Sequence, residues 1–215
     1  MNHHPRMTTT REGRRTQAQR SAQTRGALLD ATLECLTDLG FARTTTTVIA
    51  QRAGVSLGAL VHHFPAKSDL LTAAVGHLLD RRLAEFRKEM DTVPAEADRL
   101  DAALNLLWSA FSGSTFVAWV ELWVGARTDP ELAPAVRSMS DAFSLAAQDL
   151  FRKLFPPAEY PDAGFLEHGL PFAFAVMEGA ALRGLVRPAD DTAVQVLKAV
   201  ASQVVQRERD DVVGR

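Results

Sequence analysis

Residues 45 to 71 read TTTTVIAQRAGVSLGALVHHFPAKSDL, and no other stretch constrains the fold as tightly. Threonines open a short segment with apolar Val48, Ile49 and Ala53. Gly54 breaks it, and Ser56 opens a second segment carrying Leu57, Leu60 and Phe64. Two short helices joined by a turn of roughly three to four residues containing glycine form a helix-turn-helix, whose second helix lies in the major groove of a duplex. Thr45 and Ser56 are the residue types that cap helix N-termini. Phe64-Pro65 ends the second helix, since the residue before proline disfavours the α region.

The flanking pattern is helical throughout. A first helix is expected from about Thr24 to Leu39, because Leu28, Ala31, Thr32, Cys35 and Leu36 follow one apolar stripe. Gly40 sits where a C-cap glycine belongs. A long fourth helix is expected from Lys67 to Met90, with a break at Pro94. Leu100, Leu104, Leu107, Trp108 and Phe111 form the next apolar face. Phe116, Trp119 and Trp123 form another after Ser112-Gly113-Ser114. Thr128-Asp129-Pro130 opens a helix that reaches about Phe155 and stops at Pro156-Pro157. The last two are expected near residues 162–186 and 190–207. The fold class is all-α with nine helices. Residues 1–20 lack any apolar period and are expected to be a flexible basic arm, with 21–66 a DNA-binding head and 67–215 a helical body.

The run IAQRAGVSLGALVHHFPAKSDLL resembles the N-terminal domain of the tetracycline-repressor (TetR) family of transcriptional regulators. The matching positions are Ile49-Ala50, Ala53-Gly54-Val55-Ser56, Gly58, Leu60, His63-Phe64, Lys67 and Leu70-Leu71. LLDATLECLTDLGFART resembles the family's first helix, so the similarity spans about residues 21 to 75. AWVELWVGARTDPELAPAV resembles, more weakly, a segment of some members' C-terminal domains. The resemblance implies a homodimer that binds an operator through its heads and a small-molecule effector in its body.

Charge is partitioned along the chain. Residues 1–67 carry nine Lys/Arg against four Asp/Glu, whereas residues 68–215 carry fifteen against twenty-two. A basic head on an acidic body suits nucleic-acid binding by one end only. No apolar run approaches the roughly 20 residues of a membrane span, and residues 1–20 contain no apolar signal region. The lone Cys35 rules out an internal disulfide and suits a reducing cytoplasm. It lies in the core stripe of helix one, and no His-Glu pair has metal-ligand spacing, so neither a catalytic nucleophile, a metal nor a cofactor is expected.

On the second helix of the motif, Leu60 and Phe64 are expected inward, leaving Ser56, Leu57, Gly58, Ala59, Val61 and His62 for DNA. This set lacks Arg, Lys, Asn and Gln, the residues of bidentate base contacts. Base reading is therefore expected through apolar contact of Leu57, Ala59 or Val61 with thymine methyls, with a hydrogen bond from His62. The family usually carries an aromatic residue where Val61 stands, and often at His62, so those aromatic contacts do not transfer. His63 matches the family histidine and has two readings, a phosphate contact or a packing role. Adjacent His62 and His63 diverge by about 100° on a helix, against a shared metal. Thr45, Thr46 and Thr47 crowd a helix N-terminus, where free N–H groups favour a phosphate. Lys67 matches the family lysine and can neutralise another. Arg11, Arg14, Arg15 and Arg20 form either a minor-groove arm or a solvated tail.

In the body, Trp108, Phe111, Phe116, Trp119, Trp123, Phe143, Phe172, Phe174 and Met177 are helix core by spacing and effector-cavity candidates by resemblance. Glu121, His168 and Glu178 are polar candidates beside them, with a surface or internally paired role as the alternative. Ala180, Ala181 and Gly184, with Val194, Leu197, Ala201 and Val204, resemble the family's dimer face, a four-helix bundle with a second copy; burial within one chain is the alternative. The expected function is a ligand-responsive regulator, a repressor released from a near-palindromic operator. A constitutive DNA-binding protein and an all-α small-molecule binder remain open beside it.

Overall fold

The computed structural model describes residues 16–94, 97–156, 163–188 and 190–213. Among them lie nine α-helices: α1 (Gln17–Leu39), α2 (Thr46–Ala53), α3 (Leu57–His63), α4 (Lys67–Met90), α5 (Arg99–Phe111), α6 (Ser114–Ala126), α7 (Leu132–Leu154), α8 (Ala163–Gly184) and α9 (Thr192–Val213). A 3-10 turn, Phe41–Arg43, joins α1 to α2. No strand occurs among the described residues. The all-α class and the bounds of α4 agree with the sequence pattern.

Three ends differ from expectation. Helix α1 starts seven residues earlier, because Thr16 and Gln19 form a capping box: Thr16 Oγ1 accepts from Gln19 N at 3.2 Å and Gln19 Oε1 accepts from Thr16 N at 2.9 Å. Residues 17–20 are thus helical rather than part of a loose arm. Helix α7 starts at Leu132, after Pro130, where Asp129 Oδ1 accepts from Glu131 N and Leu132 N, both at 3.0 Å. Helix α9 runs to Val213, beyond the expected end near Arg207.

The apolar side chains form three clusters strung along α4. Leu70 and Ala74 join Leu28, Cys35, Ile49, Leu60 and Phe64 in the head. Leu71, Val75 and Leu79 join Leu36, Phe116, Trp119 and Leu122 at the junction with the body. Phe86 and Met90 reach a third cluster that includes Leu104, Phe151, Met177 and Val194. A helix of 24 residues spans about 36 Å, so one rigid rod connects all three. Each buried leucine contributes about 1.5–3 kcal/mol by leaving water. Burial pushes the Cys35 thiol's pKa up, in keeping with its packing role. Gly40 and Gly54 close α1 and α2 at φ +77° and +67°, in the region where a side chain is strained.

Candidate nucleic-acid interface and ligand cavity

The head is assembled by local chemistry. Thr45 Oγ1 accepts from Val48 N at 3.3 Å and Ser56 Oγ accepts from Ala59 N at 3.2 Å, which caps α2 and α3. Arg52 on α2 clamps α1, reaching Asp38 at 2.7 Å and Glu34 at 3.9 Å. Leu60 (1% exposed) and Phe64 (5%) anchor α3 from below. That rotation leaves Leu57 and Val61 about half exposed, although both are apolar. Ser56, Gly58 and His62 are also exposed, and Ala59 and His63 are half-buried. At the start of α2, Thr45 and Thr47 are exposed and Thr46 is half-buried.

Arg20, expected in a free arm, is fixed in the first turn of α1. With Gln17, Ser21, Thr24, His62 and His63 it borders a shallow cleft between the start of α1 and the end of α3. Arg11, Arg14 and Arg15 lie outside the described residues. Lys67 opens α4 with its ammonium 4.6 Å from the centre of the Phe41 ring. Burial pushes its pKa down, against an opposing pull from Asp129.

The contact between head and body joins residues far apart in the sequence. Phe41 N donates to Glu121 Oε2 of α6 at 2.7 Å. Four residues on, a Cβ at Gly125 would lie 2.5 Å from the Phe41 ring, so only glycine lets the ring seat against α6. Of the two roles open to Glu121, pocket group or internal partner, the structure shows the second: it is a bolt between α6 and the head.

The other side of α6 walls a cavity of about 130 Å³. Phe116, Trp119 and Trp123 line it from α6, with Phe111 from α5 and Phe143 from α7, as expected. Phe86, Phe151 and Phe174 also line it. The polar contributions are Arg82, Thr115, Ser140, Ser144 and Glu178. Arg82 Nε donates to Thr115 Oγ1 at 3.1 Å and its Nη1 to Glu85 Oε2 at 2.9 Å. Three candidates lie elsewhere. Met177 is fully buried in the third cluster, and Trp108 packs between the body and junction clusters. Phe172 is 56% exposed beside a separate groove, because it stands two positions from the inward Phe174 on a helix. His168 is exposed and lines no part of the cavity.

Residues 28–74 match the model of the tetR family of bacterial regulatory proteins. An HTH-type transcriptional regulator of Mycobacterium tuberculosis is 37% identical over 177 residues, covering 80% of this chain and 88% of that protein. The chain belongs to the TetR family. It is a DNA-binding transcriptional regulator rather than an enzyme. Among solved structures, a transcriptional regulator from Streptomyces coelicolor has 27% identity and a TM-score of 0.63, with coverage of 84% of this chain and 97% of that one. A regulator from Saccharomonospora viridis in complex with choline shares the fold at 16% identity and a TM-score of 0.62, covering 86% and 96%.

Within this TetR fold, the expected dimer residues divide. Val194, Leu197 and Ala201 are buried in the third cluster, and Ala181 in the junction cluster, so none of these four faces outward. Ala180 and Val204 are half-buried and Gly184 is exposed. The reason is competition between stripes: the richer apolar stripe of α9 docks on the chain's own α5 and α8. A second stripe is left outside, with Phe172 and Leu182 on α8, Val186 just beyond it, and Val196 and Val200 on α9, each between 47% and 85% exposed. No single helix among the described residues is long and apolar enough to cross a membrane.

Proposed function

We propose that the chain is a homodimeric repressor of the cytoplasm, released from a near-palindromic DNA operator by a small-molecule effector. Ser56, Leu57, Gly58, Ala59, Val61 and His62 face the bases, while Thr45, Thr46, Thr47, His63 and Lys67 hold phosphates. Arg20 adds a backbone contact from α1, and Arg11, Arg14 and Arg15 extend it as an arm. Two heads then meet major grooves about 34–36 Å apart, or a multiple of that distance. The outer α8–α9 stripe is the mating surface: five large apolar side chains exposed in one region are a liability on a monomer.

The observation that carries the ligand-responsive part is that α6 serves two sites. Phe116, Trp119 and Trp123 meet the cavity, while Glu121 and Gly125 meet the head at Phe41. A ligand that fits the cavity best with α6 shifted moves that bolt, and α4 with it. Release is limited by the ligand's preference for the shifted state. The choline-bound neighbour supports a small organic molecule as the occupant. The test selects bound fragments from random duplexes and then screens small molecules for release. A two-fold symmetric site released by cavity ligands supports the reading. Binding that no ligand alters makes the protein a constitutive regulator.

A further inference from the structure

The cavity carries one charge that nothing else in the described chain answers. Trp123, Trp119, Phe143, Phe174 and Phe111 follow one another around it at ring separations of 5.1, 6.2, 6.1 and 5.6 Å. Glu178 stands one turn beyond Phe174 on α8 and borders the same space, half-buried. Among the described residues its carboxylate has no hydrogen-bond or ion-pair partner, and burial alone pushes its pKa up. The cavity's other charged group, Arg82 on α4, is already held by Glu85 and Thr115. The remaining polar lining, from α6 and α7, is neutral hydroxyl.

These features rank the possible ligands. Aromatic faces attract cations, most strongly where the pair is desolvated. A neutral apolar guest would strip water from Glu178 without replacing it, which is costly. An anion would meet like charge. The volume of about 130 Å³ compares with the roughly 150 Å³ apolar cavity that admits benzene, so the guest is compact. We propose that the effector is a compact organic cation, a tertiary or quaternary ammonium. Glu178 pairs with its charge, and Trp119, Phe143 and Phe174 cage it. This inference rests on the effector reading given above.

The test uses the full chain and two compact probes of one shape, choline and its neutral carbon isostere 3,3-dimethyl-1-butanol. Quenching of Trp119 and Trp123 reports binding. The cation should bind about tenfold or more tightly than the isostere. Glu178→Gln should erase about that factor for the cation and leave 3,3-dimethyl-1-butanol bound as well or better. Phe143→Leu, which keeps the carboxylate, should weaken the cation several-fold. If the isostere binds as tightly as the cation and Glu178→Gln changes neither, the cation assignment falls while the cavity stays an effector site. If neither probe binds, the assignment and the effector reading fall together.

Discussion

Among the regions that expose apolar side chains, the one on α3 and the one on α8 and α9 have different surroundings. On α3, Leu57 and Val61 stand on a helix of seven residues whose two terminal histidines border a cleft shared with Arg20. On α8 and α9, Leu182, Val196 and Val200 form part of a long patch over two helices of 22 residues. Exposed apolar area alone does not name a partner. Short and on the same helix as a cleft that holds Arg20, it suits thymine methyls between phosphates. Long and continuous, it suits a second copy of itself.

The sharpest way to break this contrast is to charge the long patch. Leu182→Glu with Val196→Glu should give a monomer by sedimentation and weaken operator binding by about 100-fold or more, because paired heads lose their effective concentration. Persistence of the dimer would remove the α8–α9 assignment. Next in size is Glu121→Ala, which cuts the bolt to Phe41. The ratio of operator affinities without and with effector, about 5–150-fold for typical coupling, should fall toward one. A ratio that stays put would route the signal elsewhere. Leu57→Ala should cost a few-fold at particular base pairs only, measured across a panel of single-site variants.

Smaller effects separate the supporting contacts. Lys67→Ala should weaken all sequences alike and flatten the salt slope by about one unit. An unchanged slope would confine Lys67 to its seat over Phe41. Glu178→Gln should raise the melting temperature of the empty protein at neutral pH. The carboxyl's folded pKa is raised, so it destabilises the fold where the unfolded chain would be ionised. Below the unfolded pKa both states are protonated and the advantage should vanish. An advantage that persists in acid would contradict the stated cause.

Much of the head was legible because its determinants are local. Thr45, Gly54, Ser56 and the Phe64-Pro65 pair act on residues within four positions, and each appears where its chemistry requires. The early start of α1 was legible too, in the Thr16–Gln19 spacing, but lay outside the apolar period. The body was less legible because burial there is decided between helices. Phe172 and Phe174 look alike in sequence, yet only Phe174 faces the cavity. The α9 stripe most apolar in sequence went to the internal core, leaving the weaker one outside. The Glu121–Phe41 bond joins residues 80 apart, which no local pattern reports.

The most direct test of the central claim removes methyl groups from DNA rather than atoms from protein. In a selected operator, each thymine is replaced by uracil, and affinity is measured for the native chain and for Leu57→Ala and Val61→Ala. The account predicts at least one half-site thymine whose methyl matters several-fold to the native chain and not to one of the variants. If every replacement costs the variants as much as the native chain, the exposed leucine and valine of α3 do not read the bases.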